Sequence, residues 1–234
     1  MIEKSPAIEQ LLYQYTHLPI GGKKIRCPYW MDKIKKGICG PSGGKGSPEQ
    51  IVEATLMAAK KEGINLDELS TKQIKAFMKR NRIGIDCSGL AFNLLNVLDK
   101  EKGGKGLAEK IPGAKGKFLV RANVRMLTDR NVSMPVSSVS DIKIGDMIRL
   151  RGGRHIAVVA AVKKSRSGKI TEITYTHSSP KTAVSGVHSA KIKVKDEARR
   201  LENQEWLEET KDDKNYGKFA FSPLRGDGVR RFKL

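Results

Sequence analysis

The sequence contains few cysteines, few aromatic residues and no long apolar run. Three cysteines in 234 residues, widely spaced, argue against the disulfide framework that holds small secreted domains together. Aromatic residues make up only 6% of the chain, which leaves little material for stacking nucleic-acid bases. No run of about 18 apolar residues is present, so we expect no membrane span.

The first ten residues include two glutamates and lack the apolar segment of a signal peptide. We therefore expect no classical export signal, and a cytoplasmic location by sequence. What the chain has in excess is positive charge, with a formal net charge of +20. This predicts attraction to a polyanion such as nucleic acid, an acidic membrane surface or an anionic cell-wall polymer.

Apolar spacing predicts an α+β fold for one domain over residues 1–234. Ser47 with Gln50, and Ser70 with Gln73, have the spacing of helix capping boxes. Gly- and Lys-rich stretches at 36–46 and 100–117 predict solvated loops. The predicted helices are 8–15, 47–61, 70–78, 86–98 and 196–214. The predicted strands, which we expect to form an antiparallel sheet, are 147–150, 155–162, 170–176, 190–194 and 228–234.

Cys87 lies in the stretch Asp86-Cys87-Ser88-Gly89, in the first turn of the predicted helix 86–98. A cysteine attacks as its thiolate, and a helix N-terminus or a nearby imidazolium can lower the pKa of a thiol. Ser88 and Gly89 are small enough to leave room for a substrate carbonyl, and N–H groups at the helix start can bind an oxyanion. Cys87 is thus a candidate nucleophile, against the alternative of a cysteine that is simply packed in the core.

Two histidines follow in an order that suits a base and its partner. Gly145-Asp146 precedes the first predicted strand of a hairpin, and His155 opens the second. His177 lies at the end of the following strand, where it can bind the far ring nitrogen of His155 and orient the imidazole. The other two histidines, His17 and His188, have no comparable context.

The order of these motifs resembles the NlpC-type cell-wall cysteine peptidases of the papain-like superfamily. The resemblance covers residues 27–177 with gaps. It implies a papain-like domain in which a central antiparallel sheet packs on the helix that carries the nucleophile. The nucleophile, base and third polar residue of the family correspond to Cys87, His155 and His177.

Pro28-Tyr29-Trp30 is similar to a segment that precedes the cysteine in this family, and its tyrosine faces the active site there. The resemblance therefore implies that Tyr29 helps to bind the oxyanion. We further expect Asp86, Ser88 and Trp30 to contact the substrate. In the family only a few residues separate the tyrosine from the cysteine, whereas here 31–84 intervene as a loop and helical insertion.

The resemblance implies a hydrolase that cleaves an amide bond through a thioester, with peptidoglycan stem peptides as the leading substrate. Family members are usually exported, whereas we expect no export signal here. No cofactor is expected. The alternative is a basic protein that uses the same fold to bind nucleic acid or an anionic polymer without catalysis.

Two other motifs are weaker. Cys27 and Cys39, with His17 nearby, form no Cys-x-x-Cys pair and lack a fourth ligand, so we expect no metal. The stretch Gly43-Gly44-Lys45-Gly46-Ser47 lacks the glycine spacing of a phosphate loop and predicts a flexible basic loop.

Overall fold

The computed structural model describes residues 1–32, 40–111 and 122–233. An antiparallel sheet of eight strands forms its centre, so the predicted α+β class is confirmed. Two further strands, β2 and β3, form a separate hairpin. The strands are β1 (Ile2–Lys4), β2 (Leu18–Ile20), β3 (Lys23–Ile25), β4 (Ser133–Val136), β5 (Met147–Leu150), β6 (His155–Lys164), β7 (Ile170–Ser179), β8 (Gly186–Lys193), β9 (Glu205–Trp206) and β10 (Gly228–Phe232).

The strand order in the large sheet is β4-β10-β5-β6-β7-β8-β9, and β1 pairs with one end of β6. The predicted strands at 147–150, 155–162, 170–176 and 190–194 are confirmed as β5 to β8, with β8 beginning earlier than predicted. The final strand is confirmed as β10. It pairs with β4 and β5 rather than with its neighbours in sequence.

In the described parts of the chain, six α-helices accompany the sheet: α1 (Pro6–Thr16), α2 (Pro48–Glu62), α3 (Thr71–Arg80), α4 (Cys87–Glu101), α5 (Val124–Leu127) and α6 (Tyr216–Ala220). Both predicted capping boxes are present, at Ser47 with Gln50 and at Ser70 with Gln73. Among the described residues, none of the helices combines the length and apolar character that a membrane crossing needs.

The sheet is buried on both faces. Ile156 and Val158 face a core that includes the apolar sides of α1 to α4. Ala157 and Val159 face a second core that contains Trp206. This alternation follows from the two-residue period of a strand, and each fully buried aliphatic side chain contributes roughly 1.5–3 kcal/mol. β6 is therefore held firmly, and with it the first residue of the strand, His155.

The residues that flank the segment 31–84 lie side by side. Tyr29 and Ile85 form a parallel bridge, and the Ile85 N–H donates to the carbonyl of Pro28 at 3.1 Å. A Cβ at Gly84 would lie 2.5 Å from the same carbonyl oxygen, so only glycine allows this approach. The long intervening segment, with α2 and α3, thus leaves the tyrosine segment directly beside the residues that lead to Cys87.

The helix predicted at 196–214 is wrong. Only a 3₁₀ turn at Leu201–Asn203 is helical there, and β9 follows it. The Trp206 ring packs edge-on against Tyr175, with 5.3 Å between ring centroids. Burial of this large ring and pairing of β9 with β8 outweigh the local helical pattern.

The loop predicted at 36–46 is also wrong where the structure describes it. Pro41–Gly44 form a 3₁₀ turn, and Lys45 is buried. Residues 33–39 lie outside the described residues. They include Cys39, considered above as a zinc ligand. Residues 112–121, where the predicted loop 100–117 ends, also lie outside the described residues; the first part of that loop continues α4 to Glu101 and then turns.

Candidate functional site

Cys87 is the first residue of α4, as predicted, and lines a cleft of about 670 Å³. Its side chain is largely buried, with 7% of the residue exposed. The backbone N–H groups of Ser88 and Ile156 lower the pKa of the thiol, so both favour its thiolate form. Ile156 directly follows His155, and it belongs with Cys87 to the core in which α4 packs against β6.

The thiol of Cys87 is neutral in the resting protein. Burial raises its pKa to about 12, and the neighbouring carboxylate of Asp86 adds to this rise. Lys45 and the two backbone N–H groups act in the opposite direction but are weaker. The N–H of Ser88 at the helix start lowers the pKa, as expected, but burial outweighs it. The proton has to be taken away by a base during the reaction.

A chain of hydrogen bonds runs from His155 into the sheet. Its Nε2 atom lies 2.7 Å from Nδ1 of His177, and Nε2 of His177 lies 3.0 Å from Oε1 of Glu208. All three side chains are buried. The predicted partnership of His155 and His177 is therefore present in the geometry, and Glu208 extends it by one member.

The charge on Glu208 determines which atoms donate and which accept in these hydrogen bonds. Burial alone would raise the pKa of Glu208, but hydrogen bonds from His177 and His188 outweigh it and lower the pKa to about 2. The carboxylate is ionised and only accepts, so Nε2 of His177 donates. Burial lowers the pKa of His177, so its ring is neutral. Its Nδ1 atom then accepts a hydrogen bond from the N–H at Nε2 of His155. His155 is left with an unprotonated Nδ1 atom.

Burial lowers the pKa of His155 well below its usual range, and the charges of His177 and Arg151 act in the same direction. The neutral ring has a free lone pair on Nδ1, as a proton acceptor needs. His155 and Cys87 therefore rest as a neutral imidazole and a neutral thiol. This arrangement differs from a preformed thiolate–imidazolium pair.

His188 is a member of this cluster, although its sequence context gave no sign of it. It lies directly opposite His177 on the neighbouring strand. Its Nε2 atom is 2.7 Å from Oε1 of Glu208, and its Nδ1 atom is 2.9 Å from the carbonyl oxygen of Gly186. The two-residue period of β8, with His188, Ala190 and Ile192 on one face, is the signal that places it beside His177.

The opposite wall of the site is built on a buried ion pair. Nζ of Lys45 lies 2.5 Å from Oδ2 of Asp86 and 2.7 Å from Oγ of Ser88. Oδ1 of Asp86 accepts from the N–H of Gly89 at 2.7 Å and so caps α4. Asp86 and Ser88 line the cleft, but protein groups occupy their polar atoms. Substrate binding by these two residues stays a prediction.

Tyr29 lies close enough to Cys87 for the two side chains to interact electrostatically. Burial raises the pKa of Tyr29, Cys87 and Asp86 raise it further, and Arg151 lowers it. The structure therefore brings this predicted residue close to the nucleophile. Trp30 is half-buried, and its indole Nε1 donates to Oδ1 of Asp32 at 3.1 Å. Its role in substrate binding stays a prediction.

Tyr216 is a further neighbour of the site that the sequence analysis missed. Burial raises its pKa, followed by the charges of Glu208 and Cys87, while Arg151 lowers it. Its ring lies 5.4 Å from that of His177, between centroids. Tyr216 begins α6, in the part of the chain that follows the wrongly predicted helix.

A basic cavity adjoins the Cys87 cleft. It measures about 350 Å³, and Arg125 and Gly153 line both spaces. Four arginines line this cavity: Arg125, Arg130, Arg149 and Arg230. Part of the excess positive charge of the chain is therefore concentrated next to the candidate nucleophile.

Comparisons with protein-family models, with curated proteins and with solved structures give no match. The chemistry of the site is therefore argued from its own residues.

Proposed function

We propose that the protein is a cysteine hydrolase that cleaves an amide bond through a thioester, with Cys87 as nucleophile and His155 as base. One observation carries this proposal. Cys87 at the start of α4 lies in one buried core with Ile156, the residue next to His155, and His155 begins the buried chain that ends at Glu208. A nucleophile, a base and a group that orients the base are the parts that such a reaction needs.

In the first step Nδ1 of His155 takes the thiol proton while the sulfur attacks the substrate carbonyl carbon. The imidazolium that forms is stabilised through His177 by the carboxylate of Glu208. The negative charge on the carbonyl oxygen meets N–H groups at the start of α4 and the hydroxyl of Tyr29. The low dielectric of this buried site strengthens each of these interactions.

In the second step His155 returns its proton to the leaving amine, the carbon–nitrogen bond breaks and an acyl thioester remains on Cys87. Water then attacks the thioester, with His155 again accepting a proton. The acid leaves and the thiol is restored. Atoms and charges balance without a cofactor.

We further propose that the domain is papain-like and of the NlpC type. The order of elements supports this: a nucleophile at a helix start, a base at the start of a strand, and a third imidazole on the next strand. Residues 31–84 would then be an insertion beside the cleft. The resemblance makes peptidoglycan stem peptides the leading substrate class.

Purified peptidoglycan incubated with the full chain tests this function. We expect new amine and carboxyl ends in the soluble fragments, identified by mass spectrometry, and none with Cys87→Ala. Fragments that the Cys87→Ala variant releases equally well would contradict the proposal. Fragments cut at glycosidic bonds would do the same.

The second candidate function is binding of an anionic polymer, and the arginine-lined cavity beside the cleft favours it. Such binding releases counterions, so its affinity falls steeply with salt. We expect a polymer that depends on this cavity to bind more weakly to Arg125→Ala and Arg130→Ala variants. Hydrolysis by Cys87 with little dependence on salt would favour the enzyme over this alternative.

A further inference from the structure

His177, His188 and Glu208 form a compact group of possible metal ligands in the sheet. We propose that they bind a divalent transition metal of the zinc type. Nε2 of His177 lies 3.1 Å from Nε2 of His188 and 3.0 Å from Oε1 of Glu208, and the third separation is 2.7 Å. Bonds of about 2.0–2.2 Å from one ion would reach all three atoms after small adjustments.

The hydrogen bonds of His188 call for a positive charge at this point. Its Nδ1 atom faces the carbonyl of Gly186, and its Nε2 atom faces the carboxylate of Glu208, so both partners are acceptors. A neutral imidazole carries only one N–H and can satisfy only one of them. A positive charge on Nε2 satisfies both acceptors, and a metal ion bound there supplies that charge as well as a second proton would.

Each proposed ligand is also oriented by a hydrogen bond from a neighbouring residue, as is usual in metal centres. Gly186 fixes Nδ1 of His188, and Nδ1 of His177 contacts His155. The hydroxyl of Tyr175 donates to the second oxygen of Glu208. Two imidazoles and one carboxylate suit zinc, cobalt and nickel better than magnesium or calcium.

An ion can reach the site through a groove that shares no lining residue with the Cys87 cleft. This groove measures about 420 Å³ and is lined by His188 and Glu208, together with Val184 and Leu207. The groove leaves room for water as a further ligand. The thiol lines a different cleft and is not among the proposed ligands.

Metal binding would reverse the hydrogen bonds of the base, a consequence that rests on the proposed function. A metal on Nε2 of His177 moves the proton of that ring to Nδ1, which then donates to Nε2 of His155. His155 carries its own proton on Nδ1 and can no longer accept the thiol proton. The metal-bound protein is therefore inactive as a hydrolase.

Cobalt titration of the chelator-treated full chain tests the site. We expect a visible ligand-field absorption that saturates at one ion per chain and disappears when zinc is added. His188→Gln should weaken cobalt binding by at least about a hundredfold, since even outer partners of metal ligands contribute about 10- to 100-fold. Glu208→Gln serves as a second variant if His188→Gln does not fold. His17→Gln, which removes a histidine elsewhere, should bind like the parent protein.

No saturable absorption would overturn the site, and so would equal affinity in His188→Gln and His17→Gln. A strong near-ultraviolet band from a thiolate ligand would also overturn it. Saturable binding that leaves Cys87-dependent hydrolysis unchanged would support the metal site and contradict the proposed role of His155 and His177. Binding together with loss of hydrolysis supports both.

Discussion

The two walls of the site bury their charges in different ways. On the helix side, Lys45 and Asp86 form one close ion pair that fixes the first turn of α4. On the strand side, His177 and His188 share a single carboxylate, Glu208, and His155 joins them through His177. The first arrangement joins one cation to one carboxylate, whereas the second allows protons to move between ring nitrogens.

The two walls should therefore have different roles, one in stability and the other in the reaction rate. Breaking a buried ion pair leaves a charge without a partner, so the helix wall should respond mainly with a loss of stability. Changing a residue in the imidazole chain alters the proton acceptor of the thiol, so the strand wall should respond mainly with a loss of rate.

The largest effect is expected at the thiol itself. Cys87→Ala should lower hydrolysis by at least about a thousandfold, because covalent catalysis is lost. Cys27→Ala is the matched control, since Cys27 is also buried but does not line the cleft. It should lose stability and keep its rate per folded molecule. Equal activities of the two variants, measured on soluble peptidoglycan fragments, would contradict the assignment.

Next in size is the ion pair of the helix wall. Lys45→Met should lower the free energy of unfolding by about 3–5 kcal/mol, because it leaves Asp86 buried without its partner. Lys4→Met removes an exposed pair with Glu9 and should cost less than about 1 kcal/mol. Urea unfolding of both variants checks this. Similar midpoints would show that the buried pair has no special structural role.

A smaller effect is expected from the far end of the imidazole chain. Glu208→Gln should lower kcat by about 10- to 100-fold with little change in KM, because Glu208 positions His155 through His177 and does not touch the substrate. The exposed neighbour variant Glu209→Gln should leave both constants unchanged. A rise in KM alone would place Glu208 in substrate binding instead. Thermal unfolding should accompany the kinetics, to confirm that each variant is folded at the assay temperature.

The smallest effect concerns the pH dependence of Cys87. Its pKa is raised to about 12, so the reactive thiolate is a minor species that grows as the pH rises. In His155→Gln, which lacks the base, the alkylation rate by iodoacetamide should therefore increase about tenfold per pH unit between pH 6 and about pH 9. In the parent protein, proton transfer from the thiol to His155 releases no proton to solvent, so the rate should depend less on pH. A plateau in the variant would contradict the raised pKa of Cys87.

The helix start at Cys87 and the strand that His155 opens could be predicted because both are local. A capping residue begins α4, and alternation of apolar residues marks β6 and β7. The contact between His155 and His177 follows from the pairing of these two strands. The sequence order was therefore enough for three members of the site.

Glu208 and Lys45 could not be predicted, because long-range contacts determine their burial. Glu208 lies in a charged stretch with a helical pattern, and only its contacts with Tyr175 and His188 make it an internal carboxylate. Lys45 lies among glycines that predict a loop, but its partner, Asp86, is 41 residues further along. In both cases the sequence shows a charged residue but does not show which residue it pairs with.

The central claim is that Cys87 and His155 act together. Peptide-resolved alkylation of the folded chain at neutral pH tests it without knowledge of the substrate, with Cys27 as internal reference. We expect Cys87 to react at least about tenfold faster than Cys27, and His155→Gln to remove most of that difference. Equal rates for the two cysteines in the parent protein, or no change in His155→Gln, would contradict the account.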